Sequence, residues 1–534
     1  MNNADLIIRI LKDAGIGHGF GIPSGNVLPF IEAMRKGGIE FVLTAHEGTA
    51  GFAADVTGRL TGAPGLCVAT LGPGATNLAT GVGNAWLDRS PMIAVTCNLN
   101  TIQLGRRLQM LIDHHALFKP ITKASYALRP GNIVDTVQNA IRVALTEPMG
   151  PVHLDLPEDV MLAPATEDVP PPVTAPAFDL KADEAAIARA LELIARAKRP
   201  IAVIGSSAMR MRNPELLRRF VEKYGMPFAT TTMAKGMIDE DHPLSIGCIE
   251  RARRQIQRKL LRSADLIVGL GYDTVEVEFE AWIADVPLLQ IDIEAVDVAP
   301  SVTVAAEVTG SLDDSLQRLT DAKAFGNDWT ESAIANHRRD FQAALRPAVQ
   351  GLTPYQVIDA VRDILPRNGV LAFDVGAHTH QIASQWPAHA PREFLITNGW
   401  SSMGFGFPAA IAAKIAFPAL PVVCIIGDGC FQMTCGELAT ARRMGLAIPF
   451  VVLNDSTLSL IHIKQSQRQY GNSGIALGTG NSGPTPQHYF GAPAVGVDNI
   501  AELKERLTAA FTEDGPSVIE TYVDPAHYME TVFD

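Results

Sequence analysis

Short, almost wholly apolar runs recur along the chain, separated by stretches in which apolar residues repeat at three- and four-residue spacing. Phe41–Leu43, Leu66–Thr70 and Met92–Thr96 are such runs in the first third. Ile201–Ile204, Leu266–Leu270 and Leu288–Ile291 follow in the second, and Val422–Ile426 and Phe450–Leu453 in the last. A continuous apolar run predicts a strand buried on both faces, and the helical spacing between runs predicts the helices that cover it. Doubly wound parallel sheets are the economical way to combine them, so the expected class is α/β. Met1 to Ile10, apolar but interrupted by Asp5 and Arg9, predicts an opening helix. It lacks the basic start, apolar core and small-residue cleavage site of a signal peptide.

Two interruptions divide the pattern. Ala163 to Phe178 carries Pro164, Pro170, Pro171, Pro172 and Pro176, which neither a helix interior nor a central strand accommodates. Near Arg346 to Thr353, Pro347 and Gly351 precede Thr353-Pro354, a helix cap followed by proline at the first helical position. Three doubly wound parallel-sheet domains are therefore expected, at 1–163, 178–346 and 353–534. The length of 534 residues agrees, at about 100–200 residues per domain.

Composition narrows the function classes. Hydrophobic residues make up 47% and charged residues 19%, as in a globular protein with large cores. No uncharged apolar run reaches the length of about 18 residues that a membrane span needs. With 44 basic and 57 acidic side chains the net charge is −13, which argues against nucleic acid as a partner. Six cysteines in so long a chain make no disulfide framework. Cys424, Cys430 and Cys435 lie close together but form no Cys-x-x-Cys, and the spacing speaks against zinc. A reducing, cytoplasmic setting is the simple expectation.

The most informative chemistry lies in the last third. The run Val422–Ile426 ends in Gly427-Asp428-Gly429. A helix containing Gly436, Glu437, Leu438 and Ala441 is predicted next, with Gly445 closing it. The run Phe450–Leu453 then ends in Asn454-Asp455. In this β-α-β unit, Asp428 and Asp455 fall just past the carboxyl ends of two parallel strands, the edge where open α/β sheets bind ligands. Two carboxylates converging there repel unless a cation lies between them. Mg²⁺, which shares its oxygen shell readily with phosphates, suits the pair, and the glycines let backbone N–H groups approach phosphate oxygens.

Gly427-Asp428-Gly429 followed by Asn454-Asp455 resembles the signature of thiamine-diphosphate enzymes, with Asp where that family usually has a second Asn. The resemblance covers nearly the whole chain. Asp374-Val375-Gly376-Ala377-His378 resembles the diphosphate-side loop, although Ala377 replaces a usual Gln. Ser402-Met403-Gly404-Phe405-Gly406 resembles the segment beside the aminopyrimidine, where a bulky residue, here Met403, wedges the cofactor into a bent shape. His46-Glu47-Gly48 resembles the segment whose Glu hydrogen-bonds the pyrimidine ring and promotes removal of the proton from thiazolium C2. Leu71-Gly72-Pro73-Gly74-Ala75-Thr76-Asn77 resembles the loop alongside that ring.

The resemblance implies thiamine diphosphate and Mg²⁺ as cofactors and a homodimer or homotetramer, because in the family the cofactor bridges the first unit of one subunit and the third of another. It implies Glu47 as the catalytic residue and Asp428, Asp455 and Thr457 as the metal ligands. The implied cofactor contacts are Pro23, Pro73 and Asn77 on the first unit. On the third they are Val375, Gly376, Ala377, His378, Ser401, Met403, Gly427, Asp428, Gly429, Cys430, Thr457, Leu458, Ser459 and Leu460.

For the reaction, the resemblance is to acetolactate synthases acting on a small 2-oxo acid and a carbonyl acceptor. Gly21-Ile22-Pro23-Ser24-Gly25-Asn26 also resembles the first loop of benzoylformate decarboxylase, but that enzyme's pocket histidine falls near Thr70. His114-His115 stand too close to Lys119-Pro120 to match the twin histidines of pyruvate decarboxylase, and they read as surface or packing residues. A pocket without acid/base histidines favours carboligation over simple decarboxylation. A non-oxidative decarboxylase is the alternative, and a non-catalytic cofactor-binding paralogue is the alternative of another class. Gly271-Tyr272-Asp273, Val275-Glu276 and Trp282 resemble the catabolic synthases more than the flavin-containing ones, which argues against FAD. Gly25, Asn26, Gln109, Met110, Ile461 and Lys464 are the expected substrate-pocket residues. Lys464, on a helix after Asn454-Asp455, either reaches solvent or pairs with an anionic substrate tail.

Overall fold

The computed structural model describes residues 1–173, 178–276, 280–478 and 484–532. Its strands form three sheets. The first contains β1 (His18–Gly21), β2 (Glu40–Leu43), β3 (Gly65–Thr70), β4 (Met92–Asn98), β5 (Ala124–Ala127) and β6 (Pro151–Pro157), in the order β2-β1-β3-β4-β6-β5. The second contains β7 (Pro200–Ile204), β8 (Phe228–Thr230), β9 (Ser245–Cys248), β10 (Leu266–Leu270), β11 (Leu288–Asp292) and β12 (Val304–Thr309), in the order β12-β11-β10-β7-β8-β9. The third contains β13 (Val370–Phe373), β14 (Phe394–Leu395), β15 (Val422–Gly427), β16 (Pro449–Asn454), β17 (His488–Tyr489), β18 (Ala492–Val497) and β19 (Ser517–Tyr522), in the order β14-β13-β15-β16-β19-β18-β17. Every pairing is parallel except the short β17–β18 edge, which departs from the all-parallel expectation. That edge pairs a strand of two residues that follows no crossover helix, so antiparallel pairing is open to it.

The apolar runs are continuous because alternate side chains serve different cores. In β15, Val422, Cys424 and Ile426 enter one cluster, while Val423 and Ile425 enter another. In β7, Ala202 and Ile204 face one side, and Ile201 and Val203 the other. This is the period-two signature of a sheet covered on both faces. One cluster is shared. Phe20, Cys67 and Ala69 of the first sheet, Val422, Cys424 and Phe450 of the third, and the helices Glu47–Thr61, Pro73–Leu87 and Gly406–Ala416 between them form a single hydrophobic core.

Two of those helices cross at glycine. A Cβ on Gly81 would lie 2.5 Å from the Gly51 Cα, and one on Gly51 would lie 2.8 Å from the Gly81 Cα, so the backbones meet where no other residue fits. Polar contacts frame the shared core. Arg59 pairs with Asp55 and Asp88 at 2.5 and 2.7 Å and donates to the Ile396 carbonyl at 2.7 Å. Asp88 accepts from the backbone of Asn398 and Gly399.

Local signals behave as their chemistry predicts. The opening helix is Asn3–Asp13, capped by Asn2 and Asp5 in a capping box. Thr353 caps Pro354–Ile364 with Gln356 as its box partner. Gly445 adopts φ +64° just past a helix end. The helix expected after Gly427-Asp428-Gly429 is instead two, Asp428–Thr434 and Glu437–Arg443. The break has a tertiary cause. The Glu437 carboxylate turns to accept from the Ala45 backbone at 2.8 Å and from the Thr49 hydroxyl, tying the second helix to the first unit. In the proline-rich segment Pro164 bridges to Asn2, whereas Pro176 lies outside the described residues.

Candidate active site

In the third sheet the chain leaves β13 for β14 on one side and β15 on the other, so the strand order reverses between β13 and β15. Such a reversal opens a crevice beyond the strand ends, because the loops diverge to opposite faces. Three loops border it: Asp374–Gly376 after β13, Gly427 and the helix start after β15, and Asp455–Leu458 after β16. They enclose a pocket of about 230 Å3. All fourteen cofactor-contact candidates of the third unit line it, from Val375 to Leu460, together with Asp455 and Ile461.

Asp428 and Asp455 face each other here. Asp428 Oδ2 accepts from the Ser456 N–H at 2.7 Å and Oδ1 from the Gly429 N–H at 2.8 Å. Burial pushes its carboxyl up to about 7, and Asp455 adds to the shift. Asp455 accepts from the Thr457 N–H at 2.9 Å and the Ser459 hydroxyl at 2.5 Å. Burial raises it too, against those hydrogen bonds. Two half-satisfied carboxylates in one crevice are a seat for a cation. Ser456 turns the chain there with φ +59°, which brings the Thr457 main chain to the rim.

The surrounding groups suit phosphate oxygens. A Cβ on Gly429 would meet Leu458 at 2.8 Å, and one on Gly376 would meet the His378 ring at 2.7 Å, so these side chains pack against bare backbone that only glycine provides. The His378 Nε2 is buried with no hydrogen-bond partner, and burial lowers the ring to about 4. An orphaned polar atom in a pocket is costly unless a ligand meets it. The donor set and this orphan fit a metal-bound diphosphate. Met403 lies beside Gly429 on the pocket wall.

Asp374 organises the floor. Its carboxylate is fully buried and accepts from the N–H groups of Val375, Gly404 and Gly406, stitching the loop after β13 to the segment that carries Met403. The Cys430 thiol donates to the Val375 carbonyl at 3.0 Å, so this cysteine is a structural strut. All six cysteines are free, and none joins a group of potential metal ligands among the described residues.

The first sheet repeats the design. Its order reverses between β1 and β3. The loop after β1 carries Pro23, Gly25 and Asn26; the segment after β2 leads to Glu47; the loop after β3 carries Pro73 and then Asn77. Glu47 opens its helix behind His46, whose ring accepts from the Gly48 N–H at 2.9 Å. Asn77 donates to Glu47 Oε2 at 3.0 Å, while Oε1 faces Gly74, where no side chain stands. Thr70 at the end of β3 shares hydrogen bonds with Ser24 and Asn26. No histidine occupies that position.

Of the two readings the sequence left for His114, surface or packing, the structure shows packing. It is buried: Nε2 accepts from the Gly72 N–H at 3.3 Å, and Nδ1 lies 3.0 Å from Asp155. Gly72 is held at φ +61°, where a Cβ would strike the Met110 carbonyl at 2.3 Å. His114 therefore packs beneath the Gly72-Pro73-Gly74 turn, while His115 remains half-exposed. Gln109 and Met110 are exposed near that turn.

The chain does not bring the two candidate sets together. None of Pro23, Gly25, Asn26, Glu47, Pro73, Asn77, Gln109 or Met110 lines the pocket of Asp428. Pro23, Gly25 and Pro73 are instead exposed. Sequence reasoning missed Tyr528, which closes the pocket from the carboxyl-terminal side and had no motif to mark it. It also left Asp374 unassigned, although a strand-end Asp before Val-Gly was visible.

Comparison with known proteins adds an independent line. The thiamine pyrophosphate enzyme family models match in chain order: the N-terminal TPP binding domain over residues 1–117, the central domain over 187–319, and the C-terminal TPP binding domain over 374–521. The chain is 31% identical to the acetolactate synthase isozyme 1 large subunit of Escherichia coli (strain K12), over 98% of this chain and 94% of that protein. It is 30% identical to a probable acetolactate synthase large subunit of Methanocaldococcus jannaschii, covering 100% and 93%. With an acetolactate synthase of Bacillus subtilis (strain 168) it shares 28%, covering 98% and 93%.

Proposed function

The chain belongs to the thiamine pyrophosphate enzymes, in their acetolactate synthase-like branch, and we propose that it decarboxylates a small 2-oxo acid and transfers the remaining acyl group to a second carbonyl. The observation that carries this reading is the pair Asp428 and Asp455 in one crevice with three glycines and a buried imidazole nitrogen that has no partner. Thiamine diphosphate, when bound, supplies a nucleophilic carbon that adds to the 2-oxo group and accepts the electrons left by loss of CO2.

The residues of the chain do the rest. Asp428, Asp455 and the Thr457 main chain hold Mg²⁺, and the turns at Gly376, Gly427 and Gly429 admit the diphosphate. His378 Nε2 gains a partner there. Val375, Ala377, Ser401, Cys430, Leu458, Ser459 and Leu460 complete the wall, and Met403, beside Gly429, would wedge against the bound cofactor. Glu47, held on one oxygen by Asn77, presents the other to the pyrimidine ring and governs a proton there, with Pro23 and Pro73 alongside. Gly25, Asn26, Gln109, Met110, Ile461 and Lys464 border the substrate.

The separation of Glu47 from the Asp428 pocket within one chain supports a homodimer or a homotetramer, in which one protomer's first unit faces its partner's third. The absence of a histidine at Thr70 supports carboligation over plain decarboxylation. The likeness of Gly271-Tyr272-Asp273, Val275-Glu276 and Trp282 to the catabolic synthases supports a reaction run without flavin. No described helix is long and apolar enough to cross a membrane.

The test is to incubate the Mg²⁺ and thiamine-diphosphate-loaded protein with 2-oxo acids, alone and with aldehydes, and to identify products by NMR. Acyloin or 2-hydroxy-2-acyl acid products are expected. Aldehyde alone from every donor would replace this reading with the decarboxylase, and no product from any donor with the non-catalytic paralogue.

A further inference from the structure

We propose that Asp155 and His114 form a positioning dyad. The carboxylate sets the imidazole so that its bare Nε2 fixes the Gly72 N–H, and the turn so fixed keeps Glu47 open to the pyrimidine ring. This rests on the role given to Glu47 above and adds the residues that hold that role in place.

Both contacts of Glu47 start at this turn. Gly72 is the N-cap of the helix Pro73–Leu87, and its carbonyl accepts from the Thr76 N–H at 2.9 Å. Asn77 of that helix donates to Glu47 Oε2 at 3.0 Å. A Cβ on Gly74 would come within 3.4 Å of Oε1, so where the helix starts decides how freely that oxygen is reached. Gly72 itself is held in the left-handed region against the Met110 carbonyl. Its N–H needs an acceptor from outside the helix, and His114 Nε2 is that acceptor at 3.3 Å.

The tautomer follows. An Nε2 that accepts carries no proton, so the proton of the neutral ring is on Nδ1. Nδ1 lies 3.0 Å from Asp155 Oδ1 and 2.9 Å from the Thr96 hydroxyl. A buried carboxylate on Nδ1–H is an established means of holding an imidazole in one tautomer. Burial alone would raise the Asp155 carboxyl, yet its hydrogen bonds, foremost that from His114, bring it below its usual value. Asn98 donates to both carboxylate oxygens, at 3.0 and 3.1 Å, and fixes their plane. Thr96 and Asp155 are direct partners across β4 and β6, so the dyad stands on the first sheet itself.

The neighbouring histidines complete the support. His153 Nε2 lies 2.8 Å from the Thr96 hydroxyl and Nδ1 2.7 Å from that of Ser125, and burial pushes its ring down to about 3, so it is uncharged. His115 meets the same Ser125 hydroxyl at 2.6 Å, and its Nε2 is 3.9 Å from Asp155. His114, His153 and Asp155 also stand close enough to share a cation. The Gly72 contact speaks against one. A metal on His114 Nδ1 would put the ring proton on Nε2, donor against donor at the Gly72 N–H.

Two exchange measurements test the dyad. Mass spectrometry follows hydrogen exchange at the backbone amides of the Gly72 turn, with and without Mg²⁺ and thiamine diphosphate. NMR follows exchange at C2 of the bound cofactor. His114→Phe keeps a flat ring and loses the acceptor. Its turn amides should exchange about ten- to a hundredfold faster, as loss of one buried hydrogen bond allows. Its C2 exchange and kcat should fall about tenfold or more, with KM within about twofold. His114→Gln, whose side-chain carbonyl can accept from the same N–H, should recover part of each. Nitrogen-15 NMR of histidine-labelled protein should show a ring protonated on Nδ1 alone that is missing from His114→Phe.

Unchanged turn exchange in His114→Phe, or a His114 ring protonated on Nε2, overturns the dyad. Equal defects in the Phe and Gln variants that track a loss of Tm also overturn it, as packing alone would produce them. Faster turn exchange with normal C2 exchange, where Glu47→Gln does slow C2, overturns the proposal and leaves the Glu47 reading standing. Normal C2 exchange in Glu47→Gln itself overturns that reading, and the turn amides then decide the dyad alone.

Discussion

Asp428→Asn should make the cofactor-free protein more stable while destroying its ability to hold the metal. In the native state burial and the neighbouring Asp455 raise the Asp428 carboxyl from 3.8 to about 7. A carboxyl raised on folding binds its proton more tightly in the native state. Native stability therefore falls as pH rises from about 4 through 7 and levels off above. At pH 8 the ionised side chain costs about 4 kcal/mol, because each pK unit is worth about 1.4 kcal/mol. Asn carries no charge and escapes that cost. It gives back about 1–2 kcal/mol, since its amide nitrogen cannot accept one of the two backbone hydrogen bonds now taken from Ser456 and Gly429.

The net expectation is a gain of about 2–3 kcal/mol at pH 8 that disappears near pH 4.5, where the wild-type carboxyl is already protonated. Thermal unfolding followed by intrinsic fluorescence in EDTA, without cofactor, measures it as a higher apparent Tm for the variant at pH 8 and no advantage at low pH. Adding Mg²⁺ and thiamine diphosphate should reverse the order, because ligand that binds only the native wild type raises its midpoint by mass action. A variant no more stable than wild type at pH 8, or equally advantaged at both pH values, would refute the argument that the pair is strained for want of a cation.

Three further outcomes follow from the same geometry. Glu47→Gln should slow hydrogen–deuterium exchange at cofactor C2 by about a hundredfold or more while cofactor binding survives, as NMR after rapid acid quench would show; an unchanged rate would remove Glu47 from the reaction. Mixing Glu47→Gln with Asp428→Asn protein after reversible dissociation should restore about a quarter of wild-type activity, because each hybrid dimer contains one site with both residues intact; no recovery would count against a site shared between protomers. Gly81→Ala should lower stability by about 1–3 kcal/mol, since its methyl would press on the Gly51 backbone; an unaltered Tm would mean that the helices part without cost.

The three-sheet architecture was legible because continuous apolar runs report strands buried on both faces. All eight runs fall within observed strands. Eleven of the described strands were not among the predicted runs, and three of them show why a pattern can fail. β14 and β17 have two residues each, too few to carry a pattern. β1, His18–Gly21, is half glycine, and its place in the sheet is set by the neighbours β2 and β3 rather than by its own side chains. At the site, Asp428 and Asp455 were readable because each ends a conspicuous apolar run. Tyr528 was not, since it reaches the pocket from the carboxyl-terminal segment by packing that no local spacing encodes. The split of the helix after Gly429 escaped for the same reason, as its cause, Ala45 and Thr49, lies almost four hundred residues away in sequence.

The core shared by the first and third sheets means that order along the chain and order of melting differ. Helices Glu47–Thr61 and Gly406–Ala416 bury their apolar faces in one another, so neither outer unit can unfold without exposing the interior of the other. The middle unit keeps its own two clusters on either side of its sheet. The outer pair is thus one cooperative block assembled from distant segments, and the middle unit is an insertion built around cores of its own. In a calorimeter the cofactor-free chain should show two endotherms, with metal and cofactor moving only the one that belongs to the outer pair.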